Sequence, residues 1–276
     1  TLHKPEGLMV RSKLFMGAEV MGCFPGLRWI GRGGAGMDNI DELSAAQHGI
    51  YCFNAGEANS DAVGEQTVAM MLAMFTNLVK SHVEITSGRW DREGNRGIEL
   101  KGKTVGLLGY GNTGAAVARK LQGFGVRVIA HDKYKAGFGE AGVEEVSEEK
   151  LLSDSDVLSF HVPLTAETKN WLTESRLAQM KNRFWLLNLS RGGVLDLSLV
   201  VRELNAGRIE GFAADVLTIE PPFFGDAVFM DIFNGLLKNN RVILSPHVGG
   251  WTVESYRKIS EVLLDKVLNF YDISNG

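Results

Sequence analysis

Six short apolar runs, KTVGLLG, RVIAHD, VLSFHV, RFWLLNLS, EGFAADV and RVILS, alternate with stretches of helical pattern over residues 101–247. Strands that are apolar along nearly their whole length are covered on both faces. Alternation with helices places such strands in one parallel sheet. A doubly wound α/β domain is therefore predicted over residues 101–248, with strands in the order 3-2-1-4-5-6 and VLSFHV as the third. Asp196 is placed to cap LSLVVRELNAG and Gly207 to end it, while residues 114–125 carry the small and apolar side chains that suit packing on a sheet.

The flanking sequence predicts a second domain, for which 276 residues leave room. Ser60 or Asp61 can cap a helix reading AVGEQTVAMMLAMFTNLVKSHVEI, apolar around most of its circumference and so expected to be buried. Beyond His247, TVESYRKISEVLLDKVLNFY puts Tyr256, Ile259, Leu263, Val267 and Phe270 on one helical face, with Thr252 as its cap. That helix follows the last strand of the sheet and is expected to cross back. The second domain would then be discontinuous, residues 1–100 and 249–276, with the first inserted in it.

Composition removes several classes of function. A formal charge of −4 and the lack of a Lys/Arg-rich run interleaved with aromatics argue against a nucleic-acid partner. No apolar run approaches the roughly 18 residues that span a bilayer, and the first residues lack signal-peptide order, so no membrane partner is expected. Cys23 and Cys52 show no metal-ligand spacing; they read as reduced, buried thiols, which suits the cytoplasm.

In VGLLGYGNTG, Gly109, Gly111 and Gly114 stand in GxGxxG register, directly after a strand and at the start of a helix. The pattern alone is weak, but this context gives each glycine a task. Gly109 makes the turn, Gly111 admits a pyrophosphate to the backbone, and Gly114 lets helix and strand pack closely. Helix N–H groups, from Asn112 and Thr113 onward, then face the phosphates. The second strand ends at Asp132, an acid at the distance where one can bond both hydroxyls of a ribose and disfavour a 2′-phosphate, which points to NAD. Lys133 and Lys135 leave NADP open.

At the carboxyl ends of the fourth, fifth and sixth strands stand Arg191, then Asp215 and Glu220, then His247. An arginine fork can hold a carboxylate and polarise a neighbouring carbonyl. An imidazole beside an acid can pass a proton at neutral pH. Taken singly, Arg191 could be a surface ion pair, Glu220 a loop acid before two prolines, and His247 a structural histidine; their convergence favours chemistry. His161, ending the third strand further away, is expected to line the cofactor or pack structurally.

GRGGAGMDNID, NAGEANSDAVGE, GLLGYGNTG, HVPLTAETK, NLSRGGVLD, ADVLTIEPP and SPHVGGWTVES together, in this order, resemble the D-isomer-specific 2-hydroxyacid dehydrogenases, and within them the 3-phosphoglycerate dehydrogenase branch. The resemblance implies an NAD-dependent oxidoreductase interconverting a D-2-hydroxy acid and a 2-oxo acid, with a Rossmann domain inserted in a flavodoxin-like substrate domain. In that reading Arg191 anchors the substrate carboxylate, and His247 is the acid/base with Glu220 as its partner. Asp215 contacts the nicotinamide carboxamide, while His161, Pro163, Thr168, Leu189, Ser190 and Gly249 join the cofactor contacts. Gly34, Ala35, Gly36 and Asn59 hold the substrate, and Arg11 and Ser12 face its far end. A homodimer through the nucleotide domain is also implied. Two departures stand out. The family carries several tens of residues before GLMVRS, so the substrate domain is expected to be incomplete at its N-terminus. PPFFGDAVFMDIFNGLL is longer and more aromatic than the family leads one to expect; with Trp251 it could cover the substrate's tail, but packing against a partner subunit is the favoured reading. The rivals are an NAD(H)-sensing, corepressor-like protein acting through partners and another Rossmann enzyme such as a methyltransferase. The complete Arg191, Glu220 and His247 set argues against both.

Overall fold

The computed structural model describes residues 4–139, 142–181 and 183–274. It divides into two compact units, one made of the chain up to Ala62 and from Gly250 onward, the other of Val63–Gly249.

In the first unit, β1 (Gly7–Val10), β2 (Trp29–Arg32) and β3 (Tyr51–Phe53) form a parallel sheet in that order, with α1 (Ala18–Gly22) and α2 (Glu42–Gln47) as the crossovers. Val10, Met16, Met21, Leu27, Ile30, Ile40 and Ile50 make its core. The Asp41 carboxylate caps α2 by accepting from the Ser44 N–H at 3.0 Å. Cys23, just past the five-residue α1, is exposed rather than buried, and Cys52 is partly buried.

The long apolar helix expected from Ala62 starts earlier and breaks. It runs as α3 (Gly56–Phe75), then Asn77 takes a left-handed φ of 53°, and α4 (Leu78–Thr86) leaves at 64°. Asparagine tolerates that conformation, so the break sits where the sequence allows it. Ser60 does not cap the helix; its hydroxyl donates to the Glu57 carbonyl. Val68, Met71, Met74 and Phe75 share an apolar cluster with Leu100, Val105, Leu107 and Val117. Residues 63–100 therefore lie with the second unit, and the boundary falls near residue 62 instead of residue 100.

The second unit carries β4 (Thr104–Leu108), α5 (Asn112–Leu121), β5 (Arg127–His131), β6 (Val143–Glu145), α6 (Glu148–Asp154), β7 (Val157–Phe160), α7 (Glu174–Gln179), β8 (Phe184–Asn188), α8 (Leu197–Asn205), β9 (Ile209–Ala214), α9 (Ala227–Leu237) and β10 (Val242–Leu244). Its seven parallel strands are ordered β10-β9-β8-β7-β4-β5-β6. VLSFHV is thus not at the outer edge. It forms β7, beside the central β4, and the edge place beyond β5 belongs to β6, a three-residue strand with only Val143 buried. Leu158, Phe160, Phe184, Leu186 and Phe212 pack on one face, and Val105, Leu107, Val128, Leu187 and Ala213 on the other. Burial of each such large side chain stabilises the fold by about 1.5–3 kcal/mol. Asp196 caps α8, and Gly207, at φ 73°, follows its end.

The aromatic passage packs within its own chain in part only, since Phe223, Val228 and Leu237, like Trp251, are exposed. Phe229, Phe233 and Leu236 of α9 are buried in the core that also holds Val200 and Leu204 of α8. The chain ends in α10 (Val253–Ser274), capped by Thr252, whose Oγ1 accepts from the Ser255 N–H at 3.1 Å. Its Leu263 is buried beside Ala55 and Ala58, and the Phe270 ring packs tilted against Tyr51 and edge-on against Phe53. Among the described residues no single helix is long and apolar enough to cross a membrane.

Candidate active site

Strand β8 ends in a turn held by a buried side chain. The Asn188 Oδ1 accepts from the Ser190 N–H at 3.1 Å and from its hydroxyl at 2.9 Å, and the Asn188 Nδ2 donates to the Arg191 carbonyl at 2.9 Å. Asn188, 1% exposed, is a positioning residue with no sequence signal of its own. Gly192 follows because a Cβ there would lie 2.0 Å from the Leu217 carbonyl carbon in the loop after β9.

That loop fixes Glu220 at both oxygens. Its Oε1 accepts from the Leu217 N–H at 2.8 Å, and its Oε2 lies 2.7 Å from the His247 Nδ1. Burial pushes the Glu220 carboxyl up, but the hydrogen bond from His247, the Leu217 N–H and the His247 and Arg191 charges outweigh it, leaving the group below its ordinary value. His247 moves the opposite way. The hydrogen bond to Glu220 raises it against burial and the Arg191 charge, with Glu220 and Asp215 also acting upward. Arg191 thus acts electrostatically on both members of the pair.

His247 sits at φ 56°, a conformation rare outside glycine and characteristic of constrained sites. Asp215, 2% exposed, sets the loop around it. Its Oδ1 accepts from the Val248 N–H at 3.0 Å and from the Ser245 hydroxyl, and its Oδ2 accepts from the Gly249 N–H at 2.7 Å. Three of its roughly four acceptor positions are therefore used inside the chain. One position is left for the carboxamide contact that the resemblance implies, and the three used hold the His247 loop to the end of β9. Ser245, itself reached by Gln66 at 3.4 Å, is another supporting residue without a sequence signal of its own.

At the glycine turn, Gly109 has φ 93°, and a Cβ there would lie 2.6 Å from the His161 carbonyl oxygen; one on Gly114 would lie 2.2 Å from the Gly109 carbonyl oxygen. Gly111 differs, since a Cβ on it would meet no protein atom within 4 Å. Helix α5 begins at Asn112 and Thr113 with no side-chain cap. Its first N–H groups are left to a ligand or to water. His161 lies under this turn, on the cofactor side of the sheet end. Its Nε2 is 2.9 Å from the Ser159 hydroxyl and its Nδ1 is buried without a partner. Burial lowers its pKa to about 4, so it stays neutral. Pro163 and Thr168 share the next loop, where the Thr168 Oγ1 donates to the Pro163 carbonyl at 2.6 Å.

Asp132 also does more inside the chain than expected. Its Oδ2 accepts from the Tyr110 N–H at 2.8 Å, and its Oδ1 from the Tyr134 and Lys135 N–H groups at 2.9 and 3.1 Å. That leaves room for one direct hydroxyl bond, not two. In the first unit, the Gly34 carbonyl accepts from the Ala55 N–H at 2.9 Å and the Ala35 carbonyl from the Asn54 Nδ2 at 3.1 Å. Gly36 follows in the same loop. The Asn59 Oδ1 is buried without a partner. The Arg11 guanidinium lies 4.7 Å from the Trp251 ring centre and 5.0 Å from that of Tyr256; Ser12 beside it is exposed.

Residues 68–249 match the family model described as D-isomer specific 2-hydroxyacid dehydrogenase, NAD binding domain. The chain belongs to that family. It is 36% identical over 95% of its length to D-3-phosphoglycerate dehydrogenase 3, chloroplastic, of Arabidopsis thaliana, and 34% identical over 94% of its length to a hydroxypyruvate reductase of Thermotoga maritima. It spans 44% of the first relative and 83% of the second. A solved D-lactate dehydrogenase of Aquifex aeolicus, complexed with NAD and lactic acid, superposes with a TM-score of 0.87 at 27% identity, covering 98% of this chain and 84% of that one.

The residues present fit the cofactor of this dehydrogenase family. The backbone-lined turn, open at Gly111 and followed by uncapped N–H groups, offers what a pyrophosphate requires, and Asp132 follows β5, where an acid can bond a ribose hydroxyl. Leu189 and Ser190 lie on the turn that presents Arg191, and Gly249 on the loop after His247.

Proposed function

We propose that this chain is an NAD-dependent dehydrogenase interconverting a 2-oxo acid and a D-2-hydroxy acid, with the 3-phosphoglycerate pair as the leading substrate. The observation that carries the reading is the 2.7 Å contact of His247 with Glu220, with Arg191 acting on both. Bound reduced nicotinamide supplies a hydride to the substrate carbonyl carbon. The chain's residues manage charge and proton. Arg191 holds the substrate carboxylate, and protonated His247 donates from Nε2 to the carbonyl oxygen while Glu220 balances the imidazolium. Gly34, Ala35, Gly36 and Asn59 are assigned to the substrate body.

Arg11 and Ser12 are assigned to the substrate's far end. The Arg11 guanidinium makes no hydrogen bond or ion pair among the described residues. Rings of Trp251 and Tyr256 hold it, leaving its N–H edge to an anion. Resemblance to D-3-phosphoglycerate dehydrogenases agrees with a distal phosphate. NADH oxidation with 3-phosphohydroxypyruvate, hydroxypyruvate, glyoxylate and pyruvate tests the reading. Preference for the phosphorylated acid is expected. Preference for a short acid would move the substrate, and silence with NADH bound would sink the dehydrogenase assignment. Nothing in the site favours a nucleotide sensor acting through partners.

We also infer a homodimer. None of the residues of α4 is buried, and Leu78, Val83, Trp90 and Ile98 are 60%, 58%, 79% and 44% exposed. Glu84 nevertheless fixes this arm by accepting from the Asn95 Nδ2 at 2.5 Å, as a surface awaiting a second copy would require. Light scattering should return twice the chain mass; a monomer would overturn the inference. With both cysteines free, we assign the protein to the cytoplasm.

A further inference from the structure

Beyond β5, two cations flank the acid that faces the ribose, Lys133 directly after Asp132 and Lys135 two residues later. A cation at this place is what accepts the extra phosphate of NADP. Neither lysine is idle. The Lys133 Nζ lies 2.8 Å from the Glu167 Oε1, the Tyr134 hydroxyl donates to the Glu167 Oε2 at 2.5 Å, and the Lys135 Nζ donates to the Tyr110 carbonyl at 3.1 Å. Glu167 is held in place by its own loop, where the Thr168 Oγ1 accepts from the Thr165 N–H at 2.8 Å and donates to the Pro163 carbonyl.

We propose that Glu167 is a specificity-determining residue, withholding Lys133 from the ribose 2′ position so that the chain prefers NAD to NADP. The inference rests on Asp132 facing the ribose. Two effects act in the same direction. Glu167 occupies the ammonium that would otherwise pair with a 2′-phosphate, and its own negative charge repels that phosphate. Lys133 and Glu167 are 62% and 52% exposed at their side chains, so water screens the pair and the effect is moderate. Glutamine at 167 keeps an acceptor for the Tyr134 hydroxyl and removes only the charge, which isolates this effect from the folding of the loop.

The test measures dissociation constants of NADH and NADPH by nicotinamide fluorescence for the full chain, Glu167→Gln, Lys133→Ala and the double variant. In Glu167→Gln, NADPH binding should tighten about two- to fivefold, a range set by one exposed ion pair, while NADH affinity stays nearly unchanged. Lys133→Ala alone should weaken NADPH relative to NADH, because it leaves the Glu167 charge unpaired, and adding it to Glu167→Gln should remove the share of the gain that needs the lysine. An unmoved ratio in Glu167→Gln, an equal change for both nucleotides, or a gain of undiminished size in the double variant would each overturn the proposal. Failure of the unaltered chain to bind either nucleotide would refute the ribose assignment itself, a distinct result.

Discussion

Replacement of His247 by alanine is expected to lower 2-oxo acid turnover by about 10²- to 10⁴-fold, the usual contribution of a positioned proton donor, with NADH affinity unchanged. The Nδ1 of this ring is committed to Glu220 at 2.7 Å, which leaves Nε2 for the substrate oxygen. Reduction needs the imidazolium. Because the hydrogen bond to Glu220 raises the His247 pKa, the protonated form persists above the ordinary histidine value, and the reductive rate should fall only as pH rises through that raised pKa. The reverse oxidation needs the neutral ring and should lose rate as pH falls through the same point. Glu220→Gln removes the carboxylate charge and weakens the hydrogen bond that together raise His247, while burial and the Arg191 charge, which act downward, remain. Its reductive limb should move to lower pH. A pH–rate profile of kcat/KM for both variants decides the matter. An unshifted limb in Glu220→Gln, or parallel loss of NADH binding in His247→Ala, would contradict the assigned roles.

What the sequence discloses about this fold follows from where the signal is dense. β4, β8 and β9 are apolar along their lengths, and the residues at their carboxyl ends could be placed from the chain alone. β6 could not. Its three residues bury only Val143, too little for a pattern, and without it VLSFHV was assigned to the edge that β6 occupies. The break between α3 and α4 turns on one residue, Asn77, inside an otherwise continuous apolar stretch. Site residues with distinctive chemistry, Arg191, Glu220 and His247, announced themselves by type and position. Asn188, Ser245 and Leu217 act through hydrogen bonds between segments distant in sequence, which no local pattern encodes. Asp215 and Asp132 were legible as acids, but the number of acceptor positions they spend on the chain's own N–H groups is a property of three-dimensional packing alone.

The two later glycines of the turn should separate binding from folding. In Gly114→Ala the added Cβ would lie 2.2 Å from the Gly109 carbonyl oxygen, a backbone atom that cannot swing aside, so α5 must back away from the end of β4. Overpacking of this kind costs about 1–3 kcal/mol in stability. Displaced helix N–H groups would also lose charge-assisted bonds to phosphate worth about 1.5–3 kcal/mol each, so NADH affinity should drop by roughly 10²-fold or more together with Tm. Gly111→Ala should behave differently. Gly111 has φ −80°, which alanine adopts without strain, and its Cβ would meet no protein atom within 4 Å. Tm should hold or rise slightly, since alanine restricts the unfolded chain. NADH affinity should nevertheless fall by about tenfold or more, because the methyl occupies space that a pyrophosphate needs for its approach to the backbone. Calorimetric unfolding and NADH titration of the two variants give four numbers. Loss of affinity in both with loss of Tm only in Gly114→Ala fits a dinucleotide seated on this turn. Unaltered affinity in Gly111→Ala would place the phosphates elsewhere, whatever Gly114→Ala does.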